Sequence, residues 1–598
     1  MGEKQRKLLV LYASQTGNAL DAAERIGREA ERRGCPASIV STDEFDPSSL
    51  PHEEAIVFVV STTGQGDSPD SFKEFWKFLL QRNLGNSWLQ RVRFAVFGLG
   101  DSGYQKYNFV AKKLDKRLLD LGATTIIEKG LGDDQHPPGY EATLDPWMLS
   151  LWGTLYQINP KYFPKGPDVV IPRDELIDQP KYRIVYHKQE TLEPALMVES
   201  DIIERAREMS PGKLSKDKSK PDCFLKMTKN EVLTKAGSTK DVRHFEFQFV
   251  SSSIKYEVGD VVELLPSQDS SAIDAFIERC DLDPESFITV HPRETESNGS
   301  FGEVITHVPI KLKTFVELTM DVTSASPRRY FFEVMSFYAT AEHEKARLQY
   351  FASPEGRDDL YNYNQKERRS VLEVLEDFPS VQMPFEWLVQ LVPALKPRAF
   401  SISSSPLAYP ASTFDRVNIP VWFHKSSLPA PPQSVPLILV GPGTGCAPFR
   451  GFIAERAVQP ETSPTAPVMF FFGSRNEDTD FLYRDFWESH AREGGMLSEV
   501  RGMLSEVRGG GFYTAFSRDQ PKKVYVQHKI REMRKEVWDL LCDGAAVYVA
   551  GSSTKMPCDV MSALEEIVME ETGGSKEMAS RWLKALEKAG RYNVEAWS

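Results

Sequence analysis

The stretch KLLVLYASQTGNALDAAERIGREAERRG, residues 7–34, decides the fold of the first part of the chain. Its apolar run is typical of a buried strand, and the amphipathic segment after the polar loop is typical of a helix that ends near Gly34. The same alternation continues to about Gln157, through the apolar runs EAIVFVVS, VRFAVFGLG and ATTIIEKG. Alternating strands and helices predict a doubly wound parallel sheet, which we assign to residues 1–157.

Three further regions follow. Residues 158–222 are rich in Pro, Lys and Asp, which predicts a linker with some local structure. Alternating apolar residues over 224–265 predict antiparallel strands, and helical patterning follows at about 270–378, so we assign residues 223–430 to a strand-rich domain with a helical insertion. Strand–helix alternation resumes over 431–598 and predicts a second doubly wound, nucleotide-binding domain.

Composition and charge exclude several classes of protein. The chain has 598 residues, 41% of them hydrophobic, which is ordinary for a globular protein of several domains. The net charge is 72 − 85 = −13, and this acidity argues against nucleic acid as the main partner. The apolar runs are only strand-length, so no membrane span is predicted. Six cysteines without CxxC spacing, and no signal segment, predict a cytoplasmic protein without a disulfide framework or a metal site.

Three polar loops after strands carry the candidate binding residues of the first domain. The first loop lies before a helix and lacks the lysine of a nucleotide P-loop, so it suits a monophosphate; a plain strand-to-helix turn is the alternative. Glycines in the other two loops let backbone approach a planar ring, on which Tyr104 can stack, unless that ring only packs within its loop. The candidates are Ser14, Gln15, Thr16, Gly17, Asn18, Ser61, Thr62, Thr63, Gly64, Gln65, Gly66, Leu99, Gly100, Asp101 and Tyr104.

The segments SQTGNA, STTGQGD and GLGDSGYQKYN together resemble the FMN-binding domain of the diflavin reductases, which has a flavodoxin-like fold. The resemblance implies that the first loop holds the FMN phosphate and that the other two enclose the isoalloxazine ring. It adds Tyr107 and Asn108 in the third loop, and Asp133 in the GLGDD element, to the candidates. Thr63 stands where microsomal members have a tyrosine, which leaves Tyr104 as the principal aromatic partner.

The segment RAFSISS begins at Arg398 and predicts a second flavin site. An arginine that can pair with a pyrophosphate, an aromatic ring and a hydroxyl suit a larger flavin, and an amphipathic edge strand is the alternative. The candidates are Arg398, Ala399, Phe400 and Ser401. The segment resembles the FAD motif RxYSxxSS of ferredoxin-reductase-like modules, with Phe400 at the tyrosine position, and the resemblance implies a β-barrel FAD domain.

The segment GPGTGCAPF follows the strand PLILV and opens a helix, which is the context of a dinucleotide pyrophosphate site. The next strand ends in Ser474-Arg475 and not in an acidic residue, which favours NADPH over NADH. The downstream hydroxyls and cations suit a 2′-phosphate and resemble the family pattern SR…KxYxQ. The candidates in this Rossmann-like domain are Gly441, Gly443, Thr444, Gly445, Ser517, Arg518, Lys523, Tyr525, Gln527 and Asp559.

The carboxyl terminus, GRYNVEAWS, resembles the ending of the same family. The resemblance implies that Trp597 covers the FAD ring and moves aside for nicotinamide, and that Glu595 has the adjacent acidic role. Ser401 completes the predicted catalytic group. A frayed amphipathic tail is the alternative.

The resemblance covers nearly the whole chain and is closest to the soluble form of the family. It implies hydride transfer from NADPH to FAD, passage of electrons to FMN, and delivery of single electrons to a partner. The implied partner is an iron–sulfur protein of the anamorsin type, which acts in cytosolic iron–sulfur cluster assembly. A microsomal haem-monooxygenase reductase is disfavoured because no anchor precedes Lys7, and a soluble haem-monooxygenase-type reductase is kept as an alternative.

One departure concerns the FAD module. Only AYPASTFDR separates Leu407 from the strand VNIPVWFH, where the family has two further strands and a Gly-x-Cys-Ser/Thr-Ser helix start that receives the FAD pyrophosphate. The segment GMLSEVR is also duplicated over residues 495–508, which predicts a local loop duplication. An FMN-binding docking protein with a defective FAD module is therefore a further alternative to a working reductase.

Overall fold

The computed structural model divides into two compact units, which are residues 1–219 with 267–395, and residues 220–266 with 396–598. It describes residues 7–15, 17–62, 66, 68–103, 106–136, 138–169, 178–188, 199–211, 220–250, 254–293, 308–405, 418–426, 428–458, 466–491, 510–552 and 555–597. The duplicated segment predicted at 495–508 lies outside the described residues. None of the helices in these ranges is both long and apolar enough to cross a bilayer.

A six-stranded parallel sheet forms the first domain. Its elements are β1 (Leu8–Ala13), α1 (Asn18–Arg32), β2 (Ala37–Ser41), β3 (Ala55–Ser61), α2 (Lys73–Leu79), β4 (Arg93–Gly100), α3 (Phe109–Asp120), β5 (Thr124–Thr125), β6 (Gly130–Asp133) and α4 (Glu141–Ile158). The order is β2-β1-β3-β4-β5, with β6 paired to β4, which is the doubly wound order of flavodoxins. Strands β1 and β3 are almost wholly buried because helices cover both faces of the sheet.

Successive segments in the middle of the chain belong to one unit and then to the other. Its elements are β7 (Tyr182–His187), α5 (Glu199–Glu208), β8 (Cys223–Val232), β9 (Arg243–Phe249), β10 (Val261–Leu264), α6 (Ser270–Arg279), β11 (Phe287–Pro292), β12 (Ile310–Lys311), α7 (Leu312–Thr319), α8 (Arg329–Tyr338), α9 (Glu342–Ala352), α10 (Arg357–Leu360), α11 (Val371–Asp377), α12 (Phe385–Leu391), β13 (Arg398–Ser401) and β14 (Asn418–His424). A π-helical stretch, Tyr361–Lys366, follows α10.

The helical insertion runs from α6 to α12, beyond the predicted limit near residue 378. Its apolar core includes Phe331, Phe332 and Trp387. The predicted linker contributes to this core, because β7 pairs with β11 and Ala206 of α5 packs among its side chains. The reciprocal capping box of Ser370 and Glu373 starts α11, which satisfies backbone donors that a helix start leaves free.

The second unit begins with a five-stranded antiparallel sheet in the order β13-β10-β14-β8-β9. Cys223, Leu225, Val262 and Val421 form its small buried core. Among the described strands the path is open, with β13 at one edge and β9 at the other.

A five-stranded parallel sheet completes the second unit, in the order β17-β16-β15-β18-β19. Its elements are β15 (Leu437–Val440), α13 (Ala447–Ala457), β16 (Val468–Ser474), α14 (Glu477–Asp480), α15 (Arg484–Ala491), β17 (Gly511–Phe516), α16 (Val526–Glu532), α17 (Arg534–Cys542), β18 (Ala546–Ser552), α18 (Met556–Thr572), α19 (Lys576–Lys588) and β19 (Tyr592–Trp597). The strand order reverses between β15 and β18, and ligands bind at such a switch point in doubly wound sheets. The predicted multidomain α/β fold is confirmed.

Candidate functional site

The first predicted loop forms a compact helix start. Ser14 Oγ accepts hydrogen bonds from the backbone N–H groups of Gly17 (2.9 Å) and Ala19 (3.3 Å). Two amides therefore converge on a single oxygen atom, which is the arrangement that an anion site at the start of a helix requires. Asn18 is the first residue of α1 and is exposed, so its side chain is accessible beside this point.

Side-chain and backbone hydrogen bonds tie the first, second and third loops together. Gln15 Nε2 donates to Asp70 Oδ2 (3.0 Å), and the Asp70 N–H donates back to Gln15 Oε1 (3.0 Å). The Thr62 N–H donates to the Leu99 carbonyl (2.8 Å), and Ser61 Oγ donates to the last carbonyl of β1 (3.3 Å). The Leu99 side chain is buried in the core, so only its backbone is available at the loops.

The third and fourth loops are also joined by predicted site residues. Tyr107 OH donates to the Leu131 carbonyl (2.7 Å), and Asn108 Nδ2 donates to the Gly132 carbonyl (2.9 Å). A Cβ on Gly100 would lie 2.9 Å from the Asn108 backbone nitrogen, which is why glycine is required there. The side chains of Tyr107 and Asn108 therefore hold the third and fourth loops in position.

Two carboxylates organise the same edge of the sheet. Asp133 Oδ1 accepts from the Ser102 N–H (2.9 Å), and Asp101 Oδ1 accepts from the Gly103 N–H (2.7 Å). Slight burial raises the pKa of Asp133, but hydrogen bonds from Ser102 and the Gln135 backbone outweigh it and hold the pKa of that carboxyl below its usual value. Asp133 thus remains an anion that fixes backbone donors at neutral pH.

The structure does not describe some of the predicted site residues in these loops. Thr16, Thr63, Gly64, Gln65 and Tyr104 lie outside the described residues. Gly66 is described, and its backbone lies against the side chain of Lys106 in the third loop. The role of Tyr104 as the principal aromatic partner stays a prediction.

The second unit brings the predicted catalytic residues Ser401 and Glu595 together. Ser401 Oγ donates to Glu595 Oε1 at 3.2 Å, although 194 positions separate the residues in sequence. Glu595 and Trp597 are two positions apart on β19, so both side chains lie on the same face of that strand. Burial raises the pKa of Glu595, and hydrogen bonds from Ser401 and Ser426 lower it in part, so the net shift is upward.

The other residues of the predicted flavin strand are open to solvent. Arg398, Ala399 and Phe400 lie on the edge strand β13, and Phe400 is 47% exposed. Within the described ranges, no hydrogen bond or ion pair engages the Arg398 guanidinium. An exposed aromatic face and a neighbouring hydroxyl fit the ring of a flavin.

A cavity of about 710 Å³ lies at the carboxyl edge of the second parallel sheet. The predicted residues that line it are Gly443, Thr444, Ser517, Tyr525, Gln527 and Asp559. Gln527 Nε2 donates to Asp559 Oδ2 (3.1 Å), so these two side chains hold each other. Gly445 packs against the Ala550 carbonyl, where a Cβ would clash.

Four predicted nucleotide-binding residues are not part of the described lining. They are Gly441, Gly445, Arg518 and Lys523. Gly441 and Gly445 allow close packing around the turn, since a Cβ on Gly441 would lie 2.7 Å from the Gly445 carbonyl oxygen. Arg518 and Lys523 have exposed side chains outside the cavity wall.

Sequence reasoning missed a hairpin that reaches this cavity. The turn between β8 and β9 contributes Thr234, Lys240 and Val242 to the lining. It is held in place by Ser238, whose Oγ donates to Asp480 Oδ1 (2.6 Å), and by a hydrogen bond from Arg475 to Thr239. No motif marks this turn, and its only sequence signal is a lysine in a polar, glycine-containing segment between two strands.

The charged side chains that line the cavity suit a phosphorylated ligand. Lys240, Arg475 and Lys555 line it, together with two carboxylates. Both carboxylates are engaged, Asp480 by Ser238 and Asp559 by Gln527. The two carboxylates of the cavity wall therefore do not fully neutralise the three cations. The cations remain able to pair with the phosphate groups of a ligand.

The flavodoxin-type sheet, the flavin strand and the phosphate-suited cavity define a flavoprotein oxidoreductase that uses a nicotinamide dinucleotide. Residues 10–147 match the flavodoxin family, residues 215–421 the FAD binding domain family, and residues 439–561 the oxidoreductase NAD-binding domain family. The fold and the family matches thus agree along the chain.

Similar proteins from distant organisms carry one name, NADPH-dependent diflavin oxidoreductase 1. The chain is 82% identical to the Arabidopsis thaliana protein, with 100% of both chains covered, and 37% identical to the Danio rerio protein, with 99% of both covered. The Schizosaccharomyces pombe protein is 31% identical, over 99% of this chain and 100% of its own. The chain belongs to the NADPH-dependent diflavin oxidoreductase family.

These matches confirm the predicted family, the enzyme class and the cofactors FMN, FAD and NADPH. The domain boundaries and the roles of individual site residues stay predictions. The alignment with the Arabidopsis thaliana protein is 630 positions long, so at least 630 − 598 = 32 of its positions have no residue in this chain.

Proposed function

We propose that this protein passes electrons from NADPH through FAD and FMN to a one-electron acceptor. The observation that carries the proposal is the hydrogen bond between Ser401 of the flavin strand and Glu595 of β19, in the same unit as the phosphate-suited cavity. Bound flavins supply the chemistry, because they accept two electrons as hydride and release them singly.

NADPH is the proposed electron donor. Thr444 and the amides after β15 support the pyrophosphate, and Ser517 supports the 2′-phosphate with Arg475 or Lys240 as its cation. Arg518 and Lys523 stay candidates at the solvent side of that phosphate. The absence of an acidic residue at the end of β16 supports NADPH over NADH.

FAD is proposed to lie against β13 with its ring beside Phe400. We assign Ser401 Oγ the role of holding a proton directed at Glu595 Oε1. Burial raises the pKa of Glu595, which favours its protonated form more than in an exposed carboxyl and supports proton exchange with the Ser401 hydroxyl. Trp597, on the same face of β19, is the proposed cover that excludes water until nicotinamide enters.

FMN is proposed to bind at the carboxyl edge of the first sheet. The amides of Gly17 and Ala19 support its phosphate, since both already converge on Ser14 Oγ. The loops around Thr62 and Asp101 support the ring, because their hydrogen bonds hold them in place before a ligand arrives. Thr16, Thr63, Gly64, Gln65 and Tyr104 are proposed for the same site.

The proposed acceptor is an iron–sulfur protein of the anamorsin type, in the cytoplasm. The structure describes all six cysteines and joins none of them in a disulfide, which supports a reducing compartment. An FMN-binding docking protein is the second candidate, and the observation that favours it is the shortfall of at least 32 alignment positions.

The test is reduction of the purified, FAD-supplemented protein by NADPH in a stopped-flow spectrometer, with NADH in parallel. Bleaching of both flavins by NADPH, followed by reduction of an added iron–sulfur acceptor, is the expected result. Bleaching without transfer to that acceptor, but with transfer to a haem monooxygenase, would replace the proposed partner. No bleaching by NADPH at saturating FAD would favour the docking protein.

A further inference from the structure

We propose that Arg450 and Tyr483 are positioning residues for the reduction of FAD by NADPH. They hold residues 402–405, which directly follow the flavin strand β13, against α13, the helix that begins after the dinucleotide turn. Both residues and the segment belong to the second unit, and neither residue is among the described residues that line the cavity. The proposal rests on the proposed function and adds no step to it, since NADPH still passes one hydride, with its two electrons, to FAD.

Helix α13 packs closely on the segment that follows the flavin strand. Arg450 Nη1 donates a hydrogen bond to the Ser403 carbonyl (2.8 Å), and Ser405 Oγ donates to Glu455 Oε2 (2.9 Å). A Cβ on Gly451 would lie 3.1 Å from the carbonyl oxygen of the residue between those two serines, so the glycine allows a close approach. Three positions of one helix therefore fix the path of this segment.

Tyr483 supplies a second contact to the same segment. Its hydroxyl forms hydrogen bonds with the side chain of Ser403 and with Nδ1 of His244 on β9 (3.0 Å). Burial raises the pKa of this hydroxyl to about 12, and the charge of Arg450 and the hydrogen bond with Ser403 lower it in part. The hydroxyl therefore keeps its proton at neutral pH and remains able to donate.

The backbone of Tyr483 adopts an unfavourable conformation. Its φ is 55°, in the left-handed region that residues with a Cβ seldom adopt. Such positions persist only where the surrounding structure holds them, and they cluster at functional sites. Tyr483 directly precedes α15, and its ring lies beside Arg450 of α13. The contacts of its side chain therefore compensate a strained backbone.

Two aromatic rings restrict the Arg450 side chain. The guanidinium carbon lies 5.1 Å from the centroid of the Tyr483 ring and 5.0 Å from that of Phe486 on α15. A planar guanidinium can contact rings through its faces and donate hydrogen bonds through its edge at the same time. The donor to the Ser403 carbonyl is therefore held in place before any ligand binds.

The flavin strand that this segment continues carries the proposed catalytic hydroxyl. Ser401 donates to Glu595 on β19 (3.2 Å), and the Ile402 N–H donates to the Asp260 carbonyl (3.0 Å). At its other end, α13 directly follows the turn that brings Thr444 to the cavity. One helix thus joins the flavin strand to the nucleotide turn, so its contacts govern how closely the two cofactors approach.

Removing the arginine contact should slow flavin reduction without weakening nucleotide binding. A misplacement of about 1 Å between reacting groups can cost about 100-fold in rate, and the loss of one of several contacts should cost less. Arg450→Met is therefore expected to lower the rate at saturating NADPH about tenfold and to change the KM by less than about twofold. The KM is preserved because the cavity wall keeps all its residues.

The experiment compares Arg450→Met, Arg450→Lys and Tyr483→Phe with the wild type in stopped-flow reduction by NADPH at saturating FAD. Arg534→Met is the matched control, because the Arg534 side chain is 57% exposed and pairs with Glu570 (2.6 Å) on the helices of the same parallel sheet. A second measurement records the absorbance change that NADP⁺ induces in bound, oxidised FAD. It reports the approach of the two cofactors and requires no turnover.

Arg450→Met should show slower reduction and a smaller absorbance change with NADP⁺. Arg450→Lys should recover about half of each effect, because an ammonium group can also donate to the Ser403 carbonyl but lacks the planar contact with the rings. Tyr483→Phe should slow reduction about threefold, since it loses the hydroxyl and keeps its ring beside Arg450. The control should match the wild type in both measurements.

Wild-type rates and absorbance changes in Arg450→Met would overturn the proposal. A rise in KM in proportion to the loss of rate, or equal losses in Arg450→Lys and Arg450→Met, would also contradict it, because either result indicates a general loss of binding or folding. If the Arg450 variants bind no FAD, Tyr483→Phe decides, and an unchanged rate in that variant would refute the proposed role. Failure of the proposed function is distinct, because the wild type itself would then show no reduction by NADPH at saturating FAD.

Discussion

Replacing Glu141 with alanine is expected to loosen the packing of the helical insertion on the flavodoxin-like domain within the first unit. Glu141 begins α4 and is 3% exposed. Its Oε1 accepts hydrogen bonds from Nη1 of Arg25 on α1 (3.0 Å) and from Nη1 of Arg329, which begins α8 of the insertion. One carboxylate oxygen therefore connects helices of both parts.

The size of the expected stability loss follows from the burial of Glu141 and from its two arginine partners. Breaking a buried ion pair costs about 3–5 kcal/mol, because it leaves an uncompensated charge. Arg25 and Arg329 keep 31% and 22% of their side chains exposed, so water compensates them in part. We expect Glu141→Ala to lower the free energy of unfolding by about 3 kcal/mol, with about 1.5 kcal/mol of coupling between Glu141 and Arg329.

The assay is a urea titration of the FMN-loaded protein, followed by the fluorescence of released flavin. Wild type, Glu141→Ala, Arg329→Ala and the double variant form the cycle. Lys77→Ala is the matched control, since Lys77 and Glu74 form an ion pair at 3.4 Å with both side chains at least 78% exposed. A coupling energy below about 0.3 kcal/mol, or a Glu141→Ala effect no larger than that of the control, would refute the reasoning.

Three further predictions concern charge and chemistry. Burial raises the pKa of Asp21 to about 6, so the ionised carboxylate is disfavoured in the folded protein. Asp21→Asn should therefore stabilise the protein by about 3 kcal/mol near pH 7, and urea titrations should show this gain fading as the pH falls through about 6 to 4. Lys240→Ala should raise the KM for NADPH about tenfold and leave that for NADH unchanged, and equal increases would contradict a 2′-phosphate contact. Ser401→Ala should slow flavin reduction by NADPH at least about tenfold. It should also move the pH profile of that reduction upward, because Glu595 loses a hydrogen bond that lowers its pKa. An unchanged pH profile in stopped-flow measurements would count against a functional Ser401–Glu595 pair.

Local periodicity was sufficient to predict both doubly wound sheets. Buried strands such as β3 and β16 are continuous apolar runs, and the loops that follow them carry glycines and hydroxyls. Because the carboxyl ends of parallel strands meet at one edge, the order of loops along the chain already indicated which residues would converge. The GPGTG turn was predicted between a strand and a helix, and in the structure it follows β15, where the strand order reverses.

Contacts between distant segments carried no such signal. Strand β7 was predicted as part of a linker, and only its pairing with β11 makes it a strand of the insertion. Tyr107 and Asn108 were predicted to contact the cofactor, and the structure engages their polar side-chain groups with carbonyls of the neighbouring loop. These outcomes depend on which surfaces meet after folding.

The amino-acid sequence by itself determined the class of each domain and the position of the loops proposed to bind cofactors, since apolar spacing and turn residues act within a few positions of each other. The tertiary structure alone decided that Lys240 lines the cavity at the edge of the second parallel sheet and that Ser401 meets Glu595. Packing brings such residues together across long stretches of chain, and a hydrogen bond between them leaves no periodic trace in either segment.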